Sequence, residues 1–130
     1  MRSRQTSNIC VVDQLNKDSI LSFLVRMQLI NYNHTSTTNA MVDSGAGCNL
    51  LSYETWQELG APTLTPSSFQ LIDFRGTSSQ ALGELLLRVQ IQDQAMIIPF
   101  HVVLTYNFSW QVLLGRTWIQ RTNFQMDWEN

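Results

Sequence analysis

The chain is organised around one stretch, Ala40-Met41-Val42-Asp43-Ser44-Gly45-Ala46-Gly47-Cys48-Asn49-Leu50-Leu51-Ser52. Apolar residues lead into Asp43 and apolar residues lead out through Leu50 and Leu51, so a carboxylate stands on a small-residue loop between two buried segments. A buried carboxylate is costly unless it is hydrogen-bonded, paired or protonated, and its position therefore asks for a chemical reason. The alternative is that Asp43 only caps a turn, as Asp before Ser-Gly often does.

A second segment with the same plan of apolar strand, glycine and short helix lies near the end of the chain. It is Val112-Leu113-Leu114-Gly115-Arg116-Thr117-Trp118-Ile119. Together the two segments resemble the retropepsins, the aspartic proteases of retroviruses and LTR retrotransposons. In that family an apolar pair precedes Asp-Ser/Thr-Gly-Ala, and a Leu-Gly-Arg segment follows some seventy residues later. The resemblance covers residues 22–128 and is most marked for the proteases of gypsy-type elements and plant pararetroviruses.

The resemblance implies a role for each residue of the loop. Asp43 would be the catalytic carboxylate, and Ser44 would form a hydrogen bond across a dimer axis that braces two such loops. Gly45 would bring its backbone near the substrate, with Ala46 supporting the loop. Small residues suit these roles because they allow close approach. The alternative for Gly45 is a turn glycine with no further role.

A polar, glycine-containing tip at residues 73–79 aligns with the flap of the family, the hairpin that closes over bound peptide. The resemblance places Phe74, Arg75, Gly76 and Thr77 in this substrate-binding flap. A lid over the cleft has a physical task, since it keeps bulk water from the reacting groups. The alternative is an ordinary exposed hairpin tip.

Gly115 and Arg116 match the Gly-Arg pair of the family and are expected to be structural, with the glycine packed behind the catalytic loop. The chain departs from the retroviral pattern at two positions. Gly47 stands where many retroviral enzymes carry a second Asp, and Thr117 stands where Asn or Asp is frequent. The acceptor for Arg116 is therefore open.

An aspartic protease needs two carboxylates that share one proton, and this chain has one candidate loop. The remaining aspartates lack the small-residue context and are not followed by Ser/Thr-Gly; they are Asp13, Asp18, Asp73, Asp93 and Asp127. A two-lobed single-chain enzyme is thereby excluded. The second carboxylate must come from a second copy, which predicts a two-fold symmetric homodimer.

Hydrophobic periodicity predicts an all-β domain, a retropepsin-like closed barrel with one or two short helices. Residues 1–19 are polar and are interpreted as a flexible arm or linker, and residues 20–130 as the protease domain.

The predicted helices cover residues 53–59, capped by Ser52, and 116–121. The predicted strands cover residues 23–30, 38–42, 69–72, 81–91, 96–103, 111–114 and 124–128, with residues 31–39 as a turn. The four tryptophans are expected to be core or interface anchors.

Composition limits the partners. Eight Lys and Arg against ten Asp and Glu give a net charge of −2, which argues against nucleic acid or an anionic membrane as partner. No apolar run reaches membrane-spanning length and no secretory leader is recognisable, so the expected location is the cytoplasm, including virus-like particles assembled there.

Cys10 and Cys48 are expected to be free thiols. His34 and His101 have no ligand partners at suitable spacing, so neither a metal nor another cofactor is expected.

These observations predict an aspartic endopeptidase, active as a homodimer, that cleaves peptide bonds and processes a Gag-Pol-type polyprotein. Two alternatives share the fold. One is a non-catalytic dimerisation or peptide-binding domain, against which the intact Asp43-Ser44-Gly45-Ala46 motif argues. The other is a cellular protease domain of the ubiquitin-shuttle type, which sequence flanking this chain would distinguish.

Overall fold

The computed structural model describes residues 9–12, 22–67, 70–73, 78–104 and 110–122. In these ranges the strands are β1 (Ile9–Val12), β2 (Ser22–Asn31), β3 (His34–Asp43), β4 (Leu50–Ser52), β5 (Gln70–Asp73), β6 (Ser78–Gln80), β7 (Gly83–Ile91), β8 (Gln94–Val103) and β9 (Val112–Leu114). The helices are α1 (Tyr53–Glu58) and α2 (Arg116–Thr122). The predicted all-β class with two short helices is confirmed. The predicted strand at residues 124–128 lies outside the described residues, and the predicted division at residues 19 and 20 stays a prediction.

Six strands form a closed barrel in the order β2-β3-β9-β4-β8-β7, and β1, β5 and β6 form a separate three-stranded sheet. Closing the barrel pairs the edges of its sheet, and this removes the exposed strand edges that invite aggregation. The predicted closed barrel is therefore confirmed. Within the described ranges, neither helix has the length and apolar character that crossing a bilayer requires.

Two long hairpins build most of the barrel wall. Strands β2 and β3 pair from Ser22↔Asp43 to Asn31↔His34, and β7 and β8 pair from Gly83↔Val102 to Ile91↔Gln94. Each hairpin turns in two residues, and the first residue of each turn has a positive φ, 56° at Tyr32 and 54° at Gln92. Such turns match the twist of the flanking strands.

The predicted turn at residues 31–39 is wrong over most of its length, because β3 begins at His34. The Asn, Ser and Thr content of this segment predicts a turn. Exposed and buried positions instead alternate along most of β3. The Asn, Ser and Thr side chains lie mostly on its exposed, outer face. Thr has a good strand propensity, so a polar strand face resembles a turn in composition.

The barrel interior is filled by inward-facing residues from both hairpins and from the helices. Its fully buried members include Met27, Leu29, Val89, Phe100 and Trp118. Burial of Trp118 confirms that this tryptophan is a core anchor, and truncation of such a side chain costs about 3–5 kcal/mol. Helix α1 packs against this core, and its N-cap Ser52 accepts a hydrogen bond from the Thr55 N–H at 3.2 Å, as predicted.

Strand β9 lies between β3 and β4, parallel to β3 and antiparallel to β4. The last strand of the barrel therefore runs beside the end of β3 that carries Asp43, although the two segments are far apart in the sequence. Gln111, just before β9, strengthens this arrangement. Its backbone carbonyl accepts from the Ser52 N–H at 2.9 Å, and its side-chain oxygen accepts from the Thr38 hydroxyl. The insertion of β9 between β3 and β4 therefore brings the segment around Gly115 close to Asp43.

Candidate active site

Asp43 is the last residue of β3 and its side chain is fully buried, at 0 % exposure. Its Oδ1 accepts a hydrogen bond from the Gly45 N–H at 2.9 Å, and its backbone carbonyl accepts from the Ala46 N–H at 3.1 Å. The bond from the Gly45 N–H is the contact expected of a turn-capping Asp, the alternative role for this residue. Capping does not require burial, however, and among the acidic side chains whose exposure the structure describes, Asp43 is the one that is buried.

Three hydrogen bonds join the start of α2 to the backbone of residues 44–47, in the loop that follows Asp43. The Arg116 N–H donates to the Ala46 carbonyl at 2.8 Å, and Arg116 Nη1 donates to the Ser44 carbonyl at 3.0 Å. The Thr117 hydroxyl donates to the Gly47 carbonyl at 3.1 Å. The acceptor left open for Arg116 is thus a backbone carbonyl of the Asp43 loop, and Thr117 was a supporting residue that the sequence did not reveal.

Gly115 lies against this loop with no room for a side chain. A β-carbon at position 115 would come within 2.5 Å of the carbonyl oxygens of both Ala46 and Cys48. Contacts below 3.0 Å with backbone atoms cannot be relieved by a rotamer change. The sequence therefore needs glycine here for close packing, and not for an unusual φ.

Asn49 is a buried polar residue that sequence reasoning missed. Its Oδ1 accepts from the Gly115 N–H at 2.9 Å and its Nδ2 donates to the Pro99 carbonyl at 2.9 Å. Its own carbonyl accepts from the His101 N–H at 3.0 Å. The signal available in the sequence was an amide side chain directly before the apolar pair Leu50-Leu51, since buried amides need fixed partners.

A second missed group surrounds His101, which is buried on β8. Its Nδ1 lies 3.1 Å from the Ser67 hydroxyl oxygen and 3.8 Å from a Glu84 carboxylate oxygen. Burial lowers the pKa of His101 below 6.5, and the nearby Glu84 carboxylate opposes that shift. Both neighbours approach the same ring nitrogen, so this is not a relay in which one nitrogen faces a nucleophile and the other an orienting carboxylate.

Glu84 and His101 also line a pocket of about 170 Å³ behind the Asp43 loop. Its other walls are Gly47, Cys48, Asn49, Pro99 and Thr117. Within the part of the chain that the structure describes, no three His, Cys, Asp or Glu side chains come together to hold a metal ion.

Cys48 is buried beside the loop and forms a disulfide bond, so the prediction of free thiols is wrong. The two cysteines allow one possible disulfide, and the prediction sets it aside because it treats the segment around Cys10 as a loose arm. That segment instead forms β1, which pairs with β5. The bond fixes the far end of the loop that begins at Asp43.

The β5–β6 hairpin lies next to the loop. Leu71 of β5 belongs to the same buried cluster as Ala46 and Cys48, so one arm of the hairpin packs on the loop. Strand β1 pairs in parallel with the other edge of β5, from Ile9↔Gln70 to Val12↔Asp73. The predicted flap residues Phe74, Arg75, Gly76 and Thr77 connect β5 to β6 and lie outside the described residues.

The chain is similar in fold to two solved protein structures. No family profile and no curated protein sequence matches the chain. Among solved structures, the chain is similar to a retropepsin-like aspartic protease from Rickettsia conorii, with 22% identity and a TM-score of 0.51. That match covers 79% of this chain and 83% of the other.

A second similar structure is a Legionella pneumophila protein of unknown function (DUF785), with 16% identity and a TM-score of 0.50. It matches over 87% of this chain and 88% of its own. At these identities the likeness concerns the fold and not the chemistry. The closed six-stranded barrel with its inserted β9 therefore has a retropepsin-like fold.

Proposed function

We propose that this chain is an aspartic endopeptidase that acts as a homodimer, with Asp43 of each copy in the active site. The observation that carries the proposal is the fully buried Asp43 at the end of β3, on a loop held from behind by α2 in a retropepsin-like fold. Burial disfavours the charged form of a carboxylate, and this cost supports a chemical role for Asp43 over a purely turn-capping one.

The need for a second copy follows from the chemistry. Peptide hydrolysis by carboxylates requires one ionised group to activate water and one protonated group to polarise the scissile carbonyl. The other carboxylates whose surroundings the structure describes are exposed or half-buried: Glu54, Glu58, Glu84 and Asp93. A two-fold axis beside Asp43 would bring in its symmetry mate as the missing group.

The mechanism assigns one task to each part of the loop. The ionised Asp43 of the pair removes a proton from water as the water oxygen attacks the peptide carbonyl, and the protonated Asp43 donates to the developing oxyanion. The tetrahedral intermediate then collapses as the leaving amine takes a proton from the pair. Gly45 approaches the substrate backbone, and Ser44 braces the two loops across the axis. Phe74, Arg75, Gly76 and Thr77 would cover the extended peptide.

The substrate class is an extended peptide segment. The resemblance of the Asp43 and Gly115 motifs to those of gypsy-type elements supports junctions in a Gag-Pol-type polyprotein of a retroelement as the natural targets. Neither a metal nor another cofactor takes part in the proposed reaction.

The experiment is a peptidase assay on a peptide library with purified wild type and Asp43→Asn. Asp43→Asn is nearly isosteric, so the fold and dimer should persist while the rate falls at least about 1,000-fold. Asp93→Asn, in the exposed β7–β8 turn, is the matched control and should retain full activity. Undiminished cleavage by Asp43→Asn would refute the proposal. A stable wild-type dimer that binds peptides without cleaving them would identify a non-catalytic binding domain instead.

A further inference from the structure

Asn49 joins three segments of the barrel through one buried side chain, which is 1 % exposed. It ends the loop that begins at Asp43, and its amide reaches Gly115, between β9 and α2, and Pro99 of β8. Its main-chain carbonyl adds a bond from the His101 N–H. These bonds tie the loop to the two strands that flank β4.

The partners fix which chemical group can stand at this position. The Gly115 N–H can only donate and the Pro99 carbonyl can only accept, so the side chain must present an acceptor to one and a donor to the other. A primary amide of this length does so in one plane. An ionised Asp has no donor for Pro99, Ala has neither group, and Gln is one methylene longer.

A short chain of contacts leads from Asn49 to the carboxylate. Asn49 holds the N–H of Gly115, and the next N–H, that of Arg116, donates to the Ala46 carbonyl. The N–H of Ala46 in turn donates to the Asp43 carbonyl. Because Gly115 packs against the Ala46 carbonyl with no spare room, a shift of residue 115 must be transmitted to the loop.

We propose that Asn49 is a positioning residue of the active site, which sets the place of Asp43 through Gly115 and Ala46. The proposal rests on the proposed function, since it explains how the Asp43 carboxylate is held in position relative to the Asp43 of the second copy. Two carboxylates that share a proton tolerate little displacement, and a misplacement of about 1 Å can lower an enzymatic rate about 100-fold.

The test compares Asn49→Ala with Asn31→Ala. Asn31 is a matched control because its side-chain amide also donates to a backbone carbonyl, that of Leu59, at 2.7 Å and away from the Asp43 loop. Both variants lose amide hydrogen bonds and should lower the melting temperature. Only Asn49→Ala should also lower kcat, by about 10-fold to 100-fold, with KM changed less than about threefold. The expected kcat of Asn31→Ala lies within about twofold of wild type.

Asn49→Asp tests whether protonation of the side chain restores the missing hydrogen-bond donor. Its protonated carboxyl group carries one donor and one acceptor, like the amide, whereas its ionised form lacks the donor. The ratio of its kcat to that of wild type should therefore rise as the pH is lowered, and the same ratio for Asn49→Ala should stay flat. A purely structural loss would give parallel pH profiles for the two variants and would overturn the proposal.

Amide hydrogen exchange at Ala46 and Gly115 separates this proposal from the proposed function. We expect faster exchange at both amides in Asn49→Ala and no change in Asn31→Ala, whether or not the protein cleaves peptides. If the wild type is inactive but exchange responds in this way, the proposed function fails and the coupling through Asn49 stands. If the wild type is active and neither kcat nor exchange distinguishes the two variants, the positioning role is wrong.

Discussion

Gly115 packs so tightly against Ala46 that a β-carbon at position 115 would lie 2.5 Å from the Ala46 carbonyl oxygen. Ala46 belongs to the loop that carries Asp43, and Gly115 belongs to the segment that enters α2. Residues 115–117 therefore form the rear wall of the candidate active site, the surface on which the loop after Asp43 packs. Four hydrogen bonds join the two segments, from residues 115–117 to the loop residues Ser44, Ala46, Gly47 and Asn49.

Gly115→Ala should lower both stability and activity. The added methyl meets two backbone carbonyls, so the loop must move, at a cost of about 1–3 kcal/mol or more. Chemical denaturation and a peptidase assay measure the two effects. Gly83→Ala is the control, because its β-carbon would also be crowded, at 2.7 Å from Leu64 Cβ, but outside the Asp43 loop. Equal loss of kcat per folded molecule in both variants would contradict the rear-wall role.

Arg116→Ala should cost about 0.5–1.5 kcal/mol in unfolding free energy, because it removes one hydrogen bond to the Ser44 carbonyl from an exposed side chain. The backbone bond from Arg116 to Ala46 survives the change. We expect a several-fold fall in kcat, measured at saturating peptide. Arg26→Ala, on the exposed face of β2, should change neither quantity appreciably. Indistinguishable behaviour of the two variants would show that the bond to Ser44 does not support the loop.

His101 should make the protein less stable in acid. Burial lowers its pKa in the folded chain below 6.5, so the unfolded chain binds more protons between the two values. The stability that His101 contributes is fully present above about pH 6.5. It is lost as the pH falls from about 6.5 through the folded-state pKa, because over that range the unfolded ring binds a proton that the buried ring does not.

The measurement is the unfolding free energy of wild type and His101→Gln from pH 7.5 to pH 5. The difference in unfolding free energy between wild type and His101→Gln should shrink as the pH falls. The same change at His34, which is exposed, should leave the pH dependence in place. A wild-type advantage that stays constant across this range would contradict the buried, neutral state of His101.

Much of the fold followed from local patterns in the sequence. The alternation of apolar residues on β7 and β8 predicts a hairpin, because one face of each strand lies in the core. Asp43 could be singled out as a carboxylate on a small-residue loop between apolar segments, and Gly115 because the segment around it resembles the Leu-Gly-Arg segment of the retropepsins. The polar face of β3 could not be told from a turn, since Thr and Ser on the exterior of a barrel have the composition of a turn.

The supporting residues could not be identified because their partners depend on the topology. Asn49 gains its acceptor and donor partners only when β9 inserts between β3 and β4. Glu84 lies opposite His101 because the β7–β8 turn has two residues, and a turn of three residues would have shifted that register by one. The disulfide of Cys48 likewise depends on long-range folding.

The central claim is that one active site is built from two copies of the chain, and dilution tests it most directly. Specific peptidase activity is measured against protein concentration, with the dimer fraction followed by sedimentation in the same buffer. Because a monomer contributes one Asp43, specific activity should fall in step with the dimer fraction and approach zero where the monomer prevails. A constant specific activity from a monodisperse monomer would contradict the account.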